Sequence, residues 1–595
     1  MRMTPLKALL LLLAFTAGSG LAAPIVPPKS EPSRSFLSRF RPAPPAKPVP
    51  RLIRITGKEI AEHRPGQSVR TLTAGLEKTF WTPTKGWLRR EGKKYGVLLI
   101  ASDTHPGPGR DALTGKMNRA EDFLSKQEAD MRAMLKSEHL ESTGYMGPAG
   151  TWMKGDGQVR TLVLNGDVFE FMQTTTAATG SEFKGPKDAY GPLNTPRTIV
   201  EKLKSIYAGH PDLFEAYAQH LVNGHRIVLI NGNHDKQLLD PNVRRTLKAI
   251  LFTEVSKLLA HQPGSQVATI RKEAMKILDG QYEFHPNFFL HGDVYARHWN
   301  DHTDWQNSFS GLYGNHFLDR AQAKAGRDKP MEAALGDYFV KSVFNQIEKD
   351  IPWGDNTAKR KAIFFGMLAK AWKDKNVRPF LNIPRAIAYA LTREGHGTPA
   401  ELEALKAADR AGIVRDVNER GLVDQFNELR QGQEPLTEAQ VVDKLLRFEE
   451  MKATPFLSLF KKGDGVAKRL ATLVRKWSQI RKIASDKGYE RRALAFLGEE
   501  LGIKTVAVGH DHVFRDERYV YGAEGRERLI RILDDATWTN SADEDVAKAK
   551  AEKRGVIKIR FDERGSHSEL RNWDSARGLI PPDIYESERE AKGQE

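Results

Sequence analysis

Five short apolar runs punctuate the chain, and each stops at a group of polar residues. They are Val97-Leu98-Leu99-Ile100-Ala101, Leu162-Val163-Leu164, Ile227-Val228-Leu229-Ile230, Phe288-Phe289-Leu290 and Val506-Ala507-Val508. Their length, and the β-branched residues in most of them, predict buried strands. Stretches 120–136 and 197–222 between the early runs predict helices, and strands alternating with helices predict an α/β core. From about 300 to 500 the pattern turns helical, at 330–349, 359–373, 400–430 and 437–451. Strand-like segments return at 529–533 and 556–561. The expected organisation is a core in two parts, 95–300 and 500–575, interrupted by a helical insertion or cap at 301–499. A polar tail follows at 576–595, and no internal repeat is visible.

The N-terminal segment has a different logic. Arg2 and Lys7 precede an apolar run at 8–15, and small residues follow through Gly18, Ser19 and Gly20 to Ala22 and Ala23. That order predicts a secretory signal peptide at 1–22, cleaved after Ala22, with an uncleaved anchor as the alternative. The run falls short of the about 20 residues that a membrane span needs. Residues 23–50 are proline-rich and predict an extended linker, and 51–94 form an N-terminal extension without clear pattern. The expected location is therefore the periplasm or the medium.

Composition narrows the chemistry. The chain has 595 residues, 40% hydrophobic and 28% charged, which suits a soluble globular protein of two or three structural units. It has no cysteine, which excludes disulfides, thiolate zinc sites and lipid attachment to an N-terminal cysteine. Any metal must then be held by His, Asp, Glu or Asn. The formal net charge of +16 favours anionic partners: phosphorylated substrates, nucleic acid or acidic lipid. Within it, 456–492 forms a basic amphipathic stretch, with Lys461, Lys462, Lys468, Arg469, Arg475 and Lys476 around Leu470, Val474 and Trp477. It reads as a solvated helix face, or as a contact for an acidic membrane surface or nucleic acid.

The polar residues that end the apolar runs carry the chemistry. The first run ends in Ser102-Asp103-Thr104-His105 and the second in Asn165-Gly166-Asp167-Val168-Phe169-Glu170. The third ends in Asn231-Gly232-Asn233-His234-Asp235, the fourth in His291-Gly292-Asp293, and the fifth in Gly509-His510-Asp511-His512. In an open α/β sheet the C-terminal strand edge is where ligands bind. Residues i and i+2 of an extended strand face the same way, so Asp103 and His105 can converge on one ion. Asp167 has two oxygens and can bridge two cations, and Asn233 adds a neutral carbonyl oxygen. Mixed imidazole and carboxylate donors suit Mn, Fe or Zn better than Ca or Mg. Taken singly, an Asp-x-His or a Gly-Asp at a strand end is an ordinary turn or surface feature. Five such ends in one chain point to a site.

The series D-x-H, G-D-x-x-E, G-N-H-D, H-G-D and G-H-x-H resembles the calcineurin-like metallophosphoesterase family, over roughly 95–300 and 500–565. The resemblance implies an α/β fold of two packed mixed β-sheets flanked by helices, a metallophosphatase four-layer sandwich, here with a large helical insertion. It implies Asp103, His105, Asp167 and His512 on one divalent metal ion and Asp167, Asn233, His291 and His510 on a second. His234 would contact the phosphate and assist the leaving group, while Glu170, Asp235 and Asp293 would orient ligands. The implied activity is metal-dependent hydrolysis of phosphate esters, in which paired cations activate a bridging water as hydroxide. The G-D-V-F-E and H-G-D segments also look like the branch of UDP-diacylglucosamine hydrolases. This chain departs from that branch in its exported start, its longer insertion, and Asp511 where Thr is usual.

Other readings remain open at this point. His298, Asp301, His302 and Asp304 follow the fourth motif and read as a polar loop, with substrate contact as the alternative. Arg110 and Arg297 read as solvated surface residues, with capture of a distal anion as the alternative. A metal-dependent nuclease, or a non-catalytic polyanion-binding or envelope-binding protein on the same fold, are the rival functions.

Overall fold

The computed structural model describes 53–55, 95–109, 121, 123–146, 150–174, 196–261, 266–303, 307, 334–340, 344–345, 399–430, 432–452, 465, 467–469, 471–472, 475, 488–521, 528–539, 541–542, 549–550, 554–562 and 565–581. The expected signal peptide and linker, most of the 51–94 extension, Arg110, Asp304, the 359–373 helix, most of 456–492 and 582–595 lie outside them.

The fold is mixed α/β, with two large mixed sheets flanked by helices. In chain order the strands are β1 (Ile53–Ile55), β2 (Val97–Ala101), β3 (Gly144–Met146), β4 (Trp152–Lys154), β5 (Arg160–Asn165), β6 (Arg226–Ile230), β7 (Tyr282–His285), β8 (Phe289–His291) and β9 (Val294–Ala296). They continue with β10 (Thr505–Val508), β11 (Phe514–Tyr521), β12 (Arg528–Asp535), β13 (Ser541–Ala542), β14 (Ala549–Lys550), β15 (Gly555–Asp562), β16 (Gly565–Asp574) and β17 (Gly578–Ile580). Sheet one runs β17-β16-β15-β2-β5-β6-β7 and sheet two β1-β11-β12-β10-β9-β8, while β3–β4 and β13–β14 are separate two-stranded ribbons. β2, β5, β6 and β7 are parallel, as are β9, β10 and β12. The extension thus supplies one element its sequence did not announce: β1 pairs antiparallel with β11 at the sheet edge.

Strand alternation builds the layers. Leu98, Ile100, Val163, Val228 and Ile230 point from sheet one into a core shared with Val294, Ala296, Ala507 and Leu533 of sheet two. The residues between them, such as Val97, Leu99, Leu162 and Leu229, point the other way. There they meet Met131, Ile199, Leu203, Phe214, Leu247 and Leu278. These belong to helices α1 (Ser125–Thr143), α2 (Pro196–Gly209), α3 (Pro211–Val222), α4 (Pro241–Ala260) and α5 (Val267–Gln281). Two short helical turns follow, α6 (Asn300–Thr303) and α7 (Leu335–Phe339). The outer face of sheet two, with Leu290, Tyr295, Val506, Val508, Ile530 and Ile532, is covered by Val417, Phe426, Leu445, Phe448 and Leu497. Those come from α8 (Pro399–Glu419), α9 (Leu422–Leu429), α10 (Glu438–Glu449) and α11 (Gly488–Leu501). With both faces of each sheet buried, nearly continuous apolar strands are what the physics requires.

The helix boundaries follow local chemistry. The single helix expected over 197–222 is two, divided at His210, because Pro211 cannot continue the first and instead opens the second. The stretch 400–430 also divides, where Gly421 takes a φ of 58°. α10 starts at a capping box, with Thr437 accepting from Gln440 N and the Gln440 side chain returning to Thr437 N.

Candidate metal centre

The loops that leave the C-terminal ends of β2, β5, β6, β9 and β10 meet at one edge of the two sheets and are tied together by backbone. Asp103 N donates to Gly166 O (3.1 Å), His105 N to Asp167 O (3.1 Å), and Gly509 N to His298 O (3.3 Å). Two motif glycines are fixed by this interlock. A Cβ on Gly166 would lie 2.5 Å from the His298 ring, and one on Gly232 would lie 2.2 Å from Asp167 Oδ1. Among the described residues, seven non-glycine residues have positive φ, and Asp103, His105, Asp167, His510 and His512 are five of them. Left-handed backbone at such residues costs on the order of 1–3 kcal/mol each and collects where function demands a geometry.

Three donor groups that could hold a metal ion gather here: Asp103, His105 and His512; His105, Glu170 and His234; and Asp167, His298 and His510. The Asp167 carboxylate lies between the first and the last. Asp167 Oδ2 is 3.7 Å from His105 Nε2 and 3.0 Å from His298 Nε2, so it faces both. Asn233 Oδ1 lies 3.1 Å from the same His298 nitrogen. His512 Nε2 is 3.1 Å from Asp103 Oδ1, and His510 N donates to Asp103 Oδ2 at 2.8 Å.

The tautomers follow from the partners. His298 Nδ1 is 3.1 Å from Asn165 O, an oxygen that only accepts, so Nδ1 carries hydrogen and Nε2 faces Asp167 and Asn233. Glu170 Oε2 likewise engages both His105 Nδ1 (2.9 Å) and His234 Nδ1 (2.5 Å), while its Oε1 accepts from Met172 N and Gln173 N. His105 Nε2 is buried with no hydrogen-bond partner, 3.8 Å from Asp103 Oδ1, too far for a hydrogen bond. Such nitrogen–oxygen separations fit donors sharing an ion at bond lengths of about 2.0–2.2 Å.

Electrostatics agrees with that donor set. Burial opposes charge on Asp103 and Asp167, yet the neighbouring imidazoles, His298 foremost, hold both well below the usual carboxylate range. Burial likewise opposes charge on the imidazoles, but Asp167 and Asp103 push His298 up to about 9, and Asp103 and Glu170 hold His105 well above its ordinary value. His234 is raised against burial by Glu170 and Asp167. Glu170 is itself held near 2 by His234 and His105 against burial. Carboxylates this deep need adjacent positive charge, which protonated imidazoles supply and a divalent cation would supply in their place.

The residues singled out from sequence divide as follows. Asp103, His105, Asp167, Asn233, His510 and His512 come together, with His234 beside them. His291 does not. Residues Phe289–Ala296 form a tight hairpin in which His291 pairs with Val294 across Gly292-Asp293. β9 runs parallel to β10, so β8 runs against it, and its last residue lies at the opposite edge of the sheet. Lys504 and Thr505, at the start of β10, donate their N–H groups to Asp293 O. The His291 ring sits in the inter-sheet core against Tyr95, Phe289 and Phe561. His298, read as a polar-loop residue, occupies the place expected of His291. The signal was faint: Val294-Tyr295-Ala296 is an apolar run of three followed by polar residues.

Four other residues singled out from sequence take these places. Asp235 ties the second and third loops by accepting from Gly232 N and Val168 N, and burial with Asp167's charge pushes it up to about 7. Asp293 is at the far edge with His291 and orients no donor here. Arg297 is buried, paired with Glu449 and Asp301, and His302 packs between Trp299 and Phe448. Asp535, absent from the sequence reading, accepts from Ser102 N (2.6 Å) and Ser102 Oγ (2.8 Å), and that hydroxyl lies 2.5 Å from Asp103 Oδ2. No family model, curated protein or solved structure matches the chain.

Proposed function

We propose that the chain is a metallophosphoesterase of the calcineurin-like type, hydrolysing phosphate esters at a dinuclear metal centre. One observation carries the reading: Asp167 Oδ2 faces His105 Nε2 on one side and His298 Nε2 on the other, each within its own donor group. Asp103, His105, Asp167 and His512 would hold one divalent ion, and Asp167, Asn233, His298 and His510 the second, of Mn, Fe or Zn type. When bound, such a pair lowers the pKa of water and neutralises phosphoryl oxygens.

The protein's own residues do the rest. Glu170 locks the rings of His105 and His234 by their Nδ1 atoms, leaving both Nε2 atoms available. His234 is 14% exposed in its side chain, against 2% for His105, so substrate can reach it. Burial opposes its charge, but Glu170 and Asp167 raise it, which favours the protonated ring that a departing alkoxide needs. The +16 net charge suits an anionic substrate, and the signal-like start suits export.

The test is phosphate release from an aryl phosphomonoester and its diester by Mn-reconstituted protein. Turnover that disappears with chelator and returns with metal supports the reading. His234→Ala is expected to keep the metal and lose about 10²–10⁴-fold in kcat. Bound metal without turnover of any phosphoester would instead favour a polyanion-binding protein.

A further inference from the structure

The large apolar side chains left exposed among the described residues are not scattered. Five of the eight, Leu140, Tyr145, Met146, Trp152 and Met153, lie together on the β3–β4 ribbon and the end of the helix before it. The ribbon pairs Tyr145 with Met153 and Met146 with Trp152. Successive strand residues face opposite ways, so one pair lies on each side. All four are exposed, at 39%, 48%, 62% and 59% in the same order. A flat protein partner would cover one side of such a ribbon and leave the other in water; a medium that surrounds it covers both.

Charge selects the medium. Residues 144–154, Gly-Tyr-Met-Gly-Pro-Ala-Gly-Thr-Trp-Met-Lys, contain no acidic side chain and one basic one. At the base of the ribbon the acidic residues are already paired, Glu141 with Lys558 (2.8 Å) and Asp156 with Arg160 (2.9 Å). Arg560 lies 4.0 Å from Glu141 with its side chain half exposed. Trp and Tyr favour the lipid–water interface, and the +16 chain is drawn to negative surfaces. We propose that the β3–β4 ribbon, through Tyr145, Met146, Trp152 and Met153, inserts into the headgroup region of an anionic lipid bilayer.

The placement has a consequence. The ribbon precedes the N-terminal end of β5, and Asp167 follows its C-terminal end. The strand's six residues separate the two by about 20 Å. A seated ribbon therefore leaves the candidate metal centre facing the aqueous phase, where it serves soluble esters rather than the lipids of that bilayer.

Because the chain has no cysteine, a single introduced one can be labelled uniquely. Full-length Met146→Cys, Met153→Cys and, as control, the exposed Val267→Cys would each carry an environment-sensitive dye. Each would be mixed with vesicles of phosphatidylglycerol and phosphatidylcholine, or of phosphatidylcholine alone. Expected are a blue shift and a several-fold rise in emission at both 146 and 153 with the anionic vesicles, and none at 267. No response at 146 and 153, or a response on one side only, overturns the proposal. So does a rise with protein concentration in the absence of lipid, which would mark a contact between copies. The readout uses no turnover, so it fails or succeeds independently of the metal centre, and turnover of a soluble ester is expected to be the same with and without vesicles.

Discussion

Histidines gather at both edges of the sheets, and the two gatherings are electrostatic opposites. At the C-terminal edge His105, His234 and His298 lie against Asp103, Asp167 and Glu170, and all three imidazoles are raised. At the N-terminal edge of sheet one, His139, His220 and His225 lie mainly against each other, with ring centroids 4.8 and 5.2 Å apart. Burial lowers all three there, assisted at His220 and His225 by neighbouring histidines, and His225 is pushed down to about 4. The first group attracts positive charge and the second rejects it. His291 lies at that same end of the strands, its ring packed among those of Tyr95, Phe289 and Phe561 rather than beside Asp103 and Asp167. A histidine at a strand end is therefore not a ligand by virtue of its position. The carboxylates it meets decide.

The largest test sets His298 against His291. His298→Ala is expected to lose one ion and about 10³-fold in kcat/KM, corresponding to the several kcal/mol of charge stabilisation an ion supplies. His291→Ala should keep its metal content and turnover. The reverse result would restore His291 as the ligand and undo the contrast between edges. Next in size, Glu170→Gln removes the anion that clamps His105 and His234, and should cost about 10–100-fold in activity or metal affinity. Equal kinetics in that variant would show that the clamp is dispensable.

Stability sharpens the comparison further. His291→Ala deletes a ring from the core between the sheets and should lower stability by about 2–4 kcal/mol in a urea titration, with His291→Leu recovering part of it. The smallest effect is in pH. The depressed histidines at the N-terminal edge are neutral in the fold, so their contribution is complete above the unfolded value of about 6.5. It is lost as pH falls through their folded values, His225's being about 4. The urea midpoint should therefore fall between those limits, and less so in His220→Gln. An unchanged slope in that variant would place the acid sensitivity elsewhere.

Much of the site was legible because its donors are local in sequence. Asp103 and His105, Asp167 and Glu170, Asn233 and His234, and His510 and His512 each sit within a few residues of an apolar run long enough to recognise. The α/β core was legible too, since the runs read as buried strands between helices; the division into two sheets was expected only from the resemblance. Two strands of three residues escaped recognition, because so short a segment shows no periodicity and neither is as apolar throughout as Phe288-Phe289-Leu290. These are β1 and β9. Asp535 escaped differently, since nothing in Leu-Asp-Asp-Ala announces that its carboxylate will meet Ser102, more than four hundred residues earlier.

By itself, then, the sequence determined which residue types end which strands, and hence that carboxylates, imidazoles and an amide would collect at a strand edge. That follows from the short-range rules of strand ends and turns; Asp103 and His105, expected to converge by strand alternation, instead meet in left-handed backbone beyond the end of β2, with φ of 52° and 45°. Only the tertiary structure decided which imidazole joined them. Strand direction is set by hydrogen bonding to neighbours distant in the chain, and here the parallel pairing of β9 with β10 carries His298 to the candidate metal centre and leaves His291 at the other end.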